Sequence, residues 1–535
     1  ADAGGGLRGV PASEGAALGP AFAFFPEPLV APRRVITDVD AEVARFRAVL
    51  AEMVADLGDD AADAETRAIV EAVVSVANDE AFTDDVEARI RGGIDAVTAV
   101  LDGGTALAQG FEAIDDPYLA ARAEDVRGVA RTLALALEGR EDVSLAAAPP
   151  GSIVVAEEIG ALDFARAPVA AIAGIVCTRG AATSHVAIMV RTHGIPAVLG
   201  CAVAPAVLAA ARTVALDGST GEVVLDPDAG TAARFRDAIE AQAKARAALA
   251  VYRDVEPRTR DGRLVEIAAN LGSLEEIAPA KAAGAMGVGL FRTELLFMAH
   301  GRLPGEDEQA RVYATLAEAF APHPVIVRTL DIGGDKPVAG VEFPPEDNPF
   351  LGWRGVRMCL ERPDVFKPQL KALLRAAVVG NVRIMVPMVS DVAEIRRVKA
   401  LLAEARAELD AAGVPHGEAP LGIMIETPAA VLAADALAAE SAFFSIGTND
   451  LTQYVMAADR LNPKVAGLNR ADHPAVLKAV ELACAAARRA GIWVGVCGEA
   501  AARPDLIPTF VRLGVTELSM SPSSILRAKA TVVGL

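Results

Sequence analysis

Positive charge is in short supply in this sequence. Its 535 residues carry 51 Lys and Arg against 71 Asp and Glu, a net charge of −20. Binding along a nucleic-acid backbone needs a basic footprint, so that class of partner is excluded. A few converging arginines in a cleft can still overrule the global field for a small anion. Cysteine is equally sparse. The five (Cys177, Cys201, Cys359, Cys484 and Cys497) are scattered, odd in number and never paired as CxxC, which reads as reduced thiols in a cytoplasm. The six histidines do not cluster, which argues against zinc. Long apolar runs are missing: the longest, such as 169–177, reach about half of a membrane span. The opening ADAGGGLRGVPASEG lacks the apolar core of a signal peptide. Aromatics make up only 4%, and alanine inflates the 53% of hydrophobic residues, yet this is the composition of a folded chain. The expectation is a soluble intracellular protein of two to four domains, without membrane insertion.

The texture changes along the chain. The first twenty residues, rich in glycine and proline, read as a strand and turns. From 38 to about 138, apolar residues recur at helical spacing: Val43, Phe46, Leu50 and Leu57; Val86, Ile90, Ile94, Val97 and Leu101; Leu119, Val126, Val129, Leu133 and Leu137. With Gly103–Gly104 and Asp-rich stretches taken as breaks, this predicts roughly four helices in a small bundle. After PPG (149–151), short apolar strands alternate with small-residue turns (SIVVAEE, VAAIAGIVCT, PAVLG, TVALDGSTGEVVLDP), a compact α/β unit. The alanine-rich, charged stretch 231–254 contains neither glycine nor proline and predicts one linker helix. Eight strand-like runs follow, at 264–270, 287–291, 325–330, 382–387, 421–425, 443–447, 493–497 and 517–521, most of them separated by helical stretches such as 392–411 and 474–490. That alternation predicts a (β/α)8 TIM-like barrel. At or just past the strand ends stand Asn270, Arg292, Glu294, Arg328, Glu426, Asn449, Asp450 and Cys497, where such barrels carry their chemistry.

GAATSH (180–185) is the most informative short segment. Its glycine and alanines permit a tight turn, and Thr183 or Ser184 can cap the helix that follows. His185 then falls in the first helical turn, where free amides and the helix dipole favour an anion. A neutral imidazole there is a competent nucleophile able to carry a covalent intermediate. Taken alone, the same three residues also suit a core histidine beside a cap. His193 has no such loop before it and is given no role.

Arg292, Arg328 and Arg354 lie in or after the second and third strands of the barrel, and Arg460 follows later. One such arginine reads as a surface ion pair. Several converging on one barrel mouth point to a phosphorylated carboxylic acid, since the guanidinium fork matches both groups. Glu426 and Asp450 place two carboxylates at adjacent strand ends. Oxygen ligands joined by a substrate phosphate suit Mg2+, although Glu426 in ETP also reads as a helix start. Cys497 is by default a small buried hydrophobe; its strand-end position before Gly498–Glu499 adds the reading of a thiol that exchanges a proton with substrate.

GAATSHVAIMVRTHGIPAVLG, GLFRTELLFM, RTLDIGGDKP, NPFLGWRGVR, IMIETPAA, FFSIGTNDLTQYVMAADR and VGVCGEAA together resemble the signatures of the phosphoenolpyruvate–protein phosphotransferases, the Enzyme I family. The likeness runs from LRGVPASEGAALGPAF to ELSMSPSSI, and FEAIDDPYLAARAEDVR in the helical region separates this family from other phosphoenolpyruvate-utilising enzymes. The resemblance implies a multidomain α/β protein. Residues 1–24 and 144–230 would form a phosphohistidine domain, with 25–143 inserted in it as a helical domain that binds the carrier HPr. A linker helix, 231–258, would lead to a barrel, 259–535, that binds phosphoenolpyruvate and forms a homodimer. It further implies His185 as the phosphorylated histidine, Arg292, Arg328, Asn449 and Arg460 as phosphoenolpyruvate ligands with Arg354 a further phosphate contact, Glu426 and Asp450 as Mg2+ ligands, and Cys497 as proton donor to the enolate. Three positions depart from the family pattern. Val73 and Val76 replace a histidine and a methionine at the carrier interface, and Ala181 replaces a glycine.

The reaction so implied is autophosphorylation of His185 from phosphoenolpyruvate, release of pyruvate and transfer to a histidine of HPr, the first step of sugar uptake. Serving two sites on different domains requires a hinge motion. The alternatives are a phosphoenolpyruvate synthase or pyruvate phosphate dikinase, for which the residues before His185 leave no room for a nucleotide-binding domain, and a nitrogen-related paralogue of the same family.

Overall fold

Between Val39 and Glu138 the helical spacing resolves into helices Val39–Asp59, Glu80–Arg91, Ala96–Glu112 and Pro117–Glu138. Our computed structural model describes all residues except 1–5, 60–73, 75–76, 79, 113–116, 141–142, 161–162, 165–166, 181–184, 299–302, 334–339, 342 and 461–463. Val73 and Val76, like Ala181, Thr183 and Ser184 of the histidine loop, lie outside the described residues. Val43, Phe46, Val86, Ile90, Val97, Val126, Val129 and Leu133 share one buried core, as the 3.6-residue period demands.

Two breaks fall elsewhere than expected. The run from Val86 to Leu101 is split at Gly92–Gly93, where Gly93 takes φ +94°, and Asp95 caps the next helix by accepting from the Thr98 amide at 3.1 Å. Gly103–Gly104, expected to break a helix, lies inside Ala96–Glu112. Its purpose is packing: a Cβ on Gly104 would overlap the methyl of Ala130 on the facing helix.

The chain divides into two compact units, Ala1–Arg246 and Ala247–Leu535. The first holds an eight-stranded sheet of β1 (Leu7–Arg8), β2 (Val10–Ser13), β3 (Ala16–Phe24), β4 (Ser152–Ala156), β5 (Ile172–Cys177), β6 (Ala197–Leu199), β7 (Thr213–Asp217) and β8 (Glu222–Leu225), in the order β1-β8-β7-β3-β4-β5-β6-β2. β3 and β4 are parallel neighbours, so the helical segment is inserted between two adjacent strands. Helix His185–Thr192 crosses from β5 to β6 and buries Val186, Ala187, Met189 and Val190 against Ile175 and Leu199.

The helix expected over 231–258 spans Ala229–Leu249 and ends in a short 3-10 turn, Ala250–Tyr252, so 253–258 are not helical. Its first two thirds are docked: Phe235 is buried with Ala16 and Ala215, Arg234 pairs with Glu222 at 2.6 Å, and Gln242 accepts from the Ala16 amide at 2.9 Å.

In the second unit, β9 (Glu266–Leu271), β10 (Val288–Arg292), β11 (Val325–Arg328), β12 (Val382–Val386), β13 (Leu421–Ile425), β14 (Phe443–Ile446), β15 (Trp493–Val496) and β16 (Glu517–Met520) form a closed, all-parallel barrel. Each expected strand is present within two residues of its predicted ends. Local signals set the helices. Val392–Ala412 begins with a capping box of Asp391 and Glu394 and stops at left-handed Gly413; Pro474–Ala490 starts with proline in its first turn and stops at Gly491. Alternate strand residues face helices or lumen. Leu290, Ile326, Met385, Met424, Phe443 and Cys497 fill the lumen as a separate core.

Candidate active site at the C-terminal rim of the barrel

β10 and β11 end on Arg292 and Arg328, which are register partners. Arg292 is exposed, whereas Arg328 is buried and clamped between carboxylates: Nη2 donates to Glu294 at 2.5 Å, and Nη1 lies 3.1 Å from Asp331. Arg354, in the turn before helix Val356–Glu361, holds Asp331 at 2.9 Å and Asp450 at 3.2 Å. Arg460 completes the row 3.6 Å from Asp450. The ring of Phe350 lies 5.9 Å from the Arg354 guanidinium and 5.5 Å from that of Arg460. Burial opposes the charge on Arg328 and Arg354, but the surrounding carboxylates outweigh it and hold both pKa values above the usual arginine range. Both guanidiniums therefore stay charged inside a dry site, where their attraction for an anion is strongest.

Glu426, one residue past β13, is fully buried. Its Oε1 accepts from the Met388 amide at 2.6 Å, while Oε2 has no hydrogen-bond partner. Burial, then the nearby Asp450 and Asp331, push its carboxyl up to about 8 against the pull of Arg328 and Arg354. A buried oxygen without a partner, in a group crowded by other carboxylates, is suited to a cation. Among the described residues no cluster of three or more His, Cys, Asp or Glu side chains forms a complete cage. Two carboxylates with room for phosphate oxygens is the donor set that Mg2+ accepts.

Cys497 follows β15 and is buried, its Sγ 3.7 Å from the Ile446 carbonyl. Burial pushes its thiol up to about 11, with the neighbouring Ser445 hydroxyl and Arg328 pulling down and Glu426 pushing up, so the thiol is protonated at neutral pH. Asn270 braces the strand end from β9, donating to the Cys497 carbonyl at 3.0 Å. Asn449 accepts from the Glu499 amide at 3.1 Å.

The barrel thus brings together Arg328, Arg354, Asp450 and Arg460 as one charge chain with Glu426 and Cys497 beside it, and sets Arg292 and Asn449 on the same rim. His185 belongs to the other unit, as the first residue of its helix.

Three participants escape a reading of the sequence alone. Glu294, though noted as a strand-end residue, is assigned no role there, and neither Asp331 nor Tyr454 is singled out. Glu294 and Asp331 hold the arginines, and the Tyr454 hydroxyl accepts from Arg354 at 3.4 Å while donating to the Phe350 carbonyl. A signal was present in each case. Asp331 stands three residues beyond a strand-end arginine, and Tyr454 follows Asp450 by one helical turn.

Three family descriptions match the chain: PEP-utilising enzyme, N-terminal, over residues 8–122; PEP-utilising enzyme, mobile domain, over 148–221; and PEP-utilising enzyme, PEP-binding domain, over 246–535. The phosphoenolpyruvate-protein phosphotransferase of Staphylococcus carnosus is 37% identical over 99% of this chain and 94% of its own length. That of Bacillus sp. (strain S) is 39% identical over 98% and 92%, and that of Haloferax volcanii 42% identical over 88% and 82%.

Proposed function

The chain belongs to the phosphoenolpyruvate–protein phosphotransferase family, and from that membership we propose that it moves the phosphoryl group of phosphoenolpyruvate to His185, releases pyruvate and passes the group to a histidine of the carrier HPr. The observation that carries the reading is the row of buried, permanently charged arginines beside Glu426 and Asp450 at the barrel rim. Phosphoenolpyruvate offers them one phosphate and one carboxylate. On binding, these anions compete with Glu294, Asp331 and Asp450 for the guanidiniums, so the arginines are already oriented before substrate arrives. Arg292, Asn449 and Arg460 complete the set of ligands.

Glu426 and Asp450 would hold Mg2+, which supplies charge neutralisation at the phosphoryl group. His185 attacks in line with the leaving enolate oxygen. The arginines stabilise charge on the transferring group, and Cys497, protonated at neutral pH, gives its proton to C3 of the enolate. The residues around Cys497 exclude water, which keeps the enolate from other proton sources.

The domain division expected from the sequence gives each step a place: a phosphohistidine domain of 1–24 and 144–230, the inserted 25–143 for the carrier, and a barrel of 259–535 that also dimerises. The protein would work in the cytoplasm; no helix among the described residues is long and apolar enough to cross a membrane. The dikinase and synthase alternative draws no support from relatives that carry the phosphotransferase name over nearly the whole chain. Incubation with labelled phosphoenolpyruvate and Mg2+, without nucleotide, should leave one acid-labile phosphate per chain, transferable to HPr. Absence of label, or label that requires ATP, refutes the assignment.

A further inference from the structure

Below the rim, the lumen contains a carboxyl group that the reaction so far does not use. Glu517, the first residue of β16, is 2% exposed and its Oε1 has no hydrogen-bond partner. The barrel leaves space for it. A Cβ on Gly289 would stand 2.6 Å from Oε1, and one on Gly495 would stand 2.9 Å from the same atom. Glycine on β10 and on β15 therefore makes room for one carboxyl in an otherwise filled interior.

The register shows what it adjoins. Ser445, Gly495 and Glu517 are lateral partners across β14, β15 and β16, so their side-chain positions lie side by side facing the lumen. Since Gly495 has no side chain, nothing from β15 stands between the serine and the glutamate. The Ser445 Oγ is buried without a hydrogen-bond partner, and Cys497, two residues beyond Gly495 on the same face, is its diagonal neighbour across the strand pair. On the other side Glu517 is paired with Glu266, the first residue of β9, which is half-buried.

We propose that Glu517 is a positioning residue that stores a proton and returns it, through the Ser445 hydroxyl, to Cys497 after each turnover. This rests on the reading of Cys497 as the acid that protonates the enolate. The balance is simple. Cys497 loses its S–H proton to C3 of the enolate; the thiolate takes the Ser445 O–H proton as Ser445 takes the carboxyl proton of Glu517. The resulting carboxylate recovers a proton from water by way of Glu266. No electrons change hands. The charged and titratable groups facing Glu517 fit a carboxyl that holds its proton at neutral pH. Burial first, then Glu266, push it up to about 8, and Arg383 of β12 only partly opposes them. The Arg383 guanidinium lies over the Trp493 ring at 5.1 Å, and Trp493 stacks on Phe443 at 4.6 Å. The Trp493 ring and the Glu517 carboxyl both stand over Gly495, Glu517 is buried, and its half-buried register partner Glu266 is the adjacent carboxyl with solvent exposure.

The test measures pyruvate formation by the full chain with phosphoenolpyruvate, Mg2+ and excess carrier, resolving the first turnover from later ones in H2O and D2O. In Glu517→Gln the first turnover should keep its rate, because the thiol begins protonated. Later turnovers should slow by roughly a hundredfold, the lower end of what a positioned proton donor contributes, with a larger solvent isotope effect. Phosphoryl exchange between carrier and chain should be unchanged. Ser445→Ala, a smaller perturbation, should reproduce the pattern even where Glu517→Gln folds poorly, and Glu517→Asp should recover part of the lost rate. Later turnovers at the parent rate in folded Glu517→Gln or Ser445→Ala overturn the relay, as does equal slowing of the first turnover and of carrier exchange. Cys497→Ala separates the two claims: full activity in that variant defeats the acid assignment itself, whereas loss there beside normal Glu517→Gln defeats only the relay.

Discussion

A thiol buried among Leu290, Ile326, Met385, Met424 and Phe443 is a weak acid held in its protonated form, the form a donor to an enolate needs. Serine keeps the size of that side chain but removes its acidity. Cys497→Ser should therefore cut turnover of phosphoenolpyruvate to pyruvate by about a hundredfold or more, given typical contributions of general acids, and leave phosphoryl exchange between HPr and His185 much less affected. Measuring both on one preparation checks this, since a cysteine that only packs the core would lower the two in proportion to folded protein. The strand-end cysteine can be picked out in the sequence. The pairing of carboxylates with arginines cannot: Asp331 stands three residues past Arg328, but that Arg354, 26 residues beyond Arg328, also lies within 3.1 Å of it is visible only in the fold.

At the scale of elements, β13 and β14 are adjacent and parallel, which places Glu426 and the start of helix Thr448–Met456, with Asp450, at neighbouring strand ends. Neutralising either carboxylate should weaken Mg2+-dependent binding. Loss of several kcal/mol of charge stabilisation corresponds to a fall in autophosphorylation of about two orders of magnitude or more. Glu426→Gln and Asp450→Asn, assayed at limiting Mg2+, check the assignment, and normal rates in both would remove the metal site from this rim. The strands were readable because each is a short apolar run bounded by turn residues. The bundle was harder. Gly103–Gly104 has the signature of a break, but its function depends on a facing helix that only the fold supplies.

For the whole molecule, the proposed nucleophile His185 and the proposed substrate ligands of the barrel belong to different compact units. His185→Ala should abolish phosphate uptake and leave phosphoenolpyruvate affinity within about threefold, the scale of change expected when no bound group is removed. Calorimetric binding to the variant checks it, and a loss of binding matching the loss of labelling would contradict the separation of roles. On the proposed function, serving both sites would require a hinge motion at the linker expected from the sequence.

By itself the sequence determined the order of elements, the eight strand-end positions and the types of residue they carry. Periodicity, caps and strand-bounding turns are local signals, written in neighbouring residues. Only the tertiary structure decided which charges meet, that Glu426 keeps a buried oxygen without a partner, and that Glu517 lies beside Ser445 across a glycine. Those facts depend on closing β16 against β9 and on the register of parallel strands far apart in the chain, and no window of sequence contains both sides of such a contact.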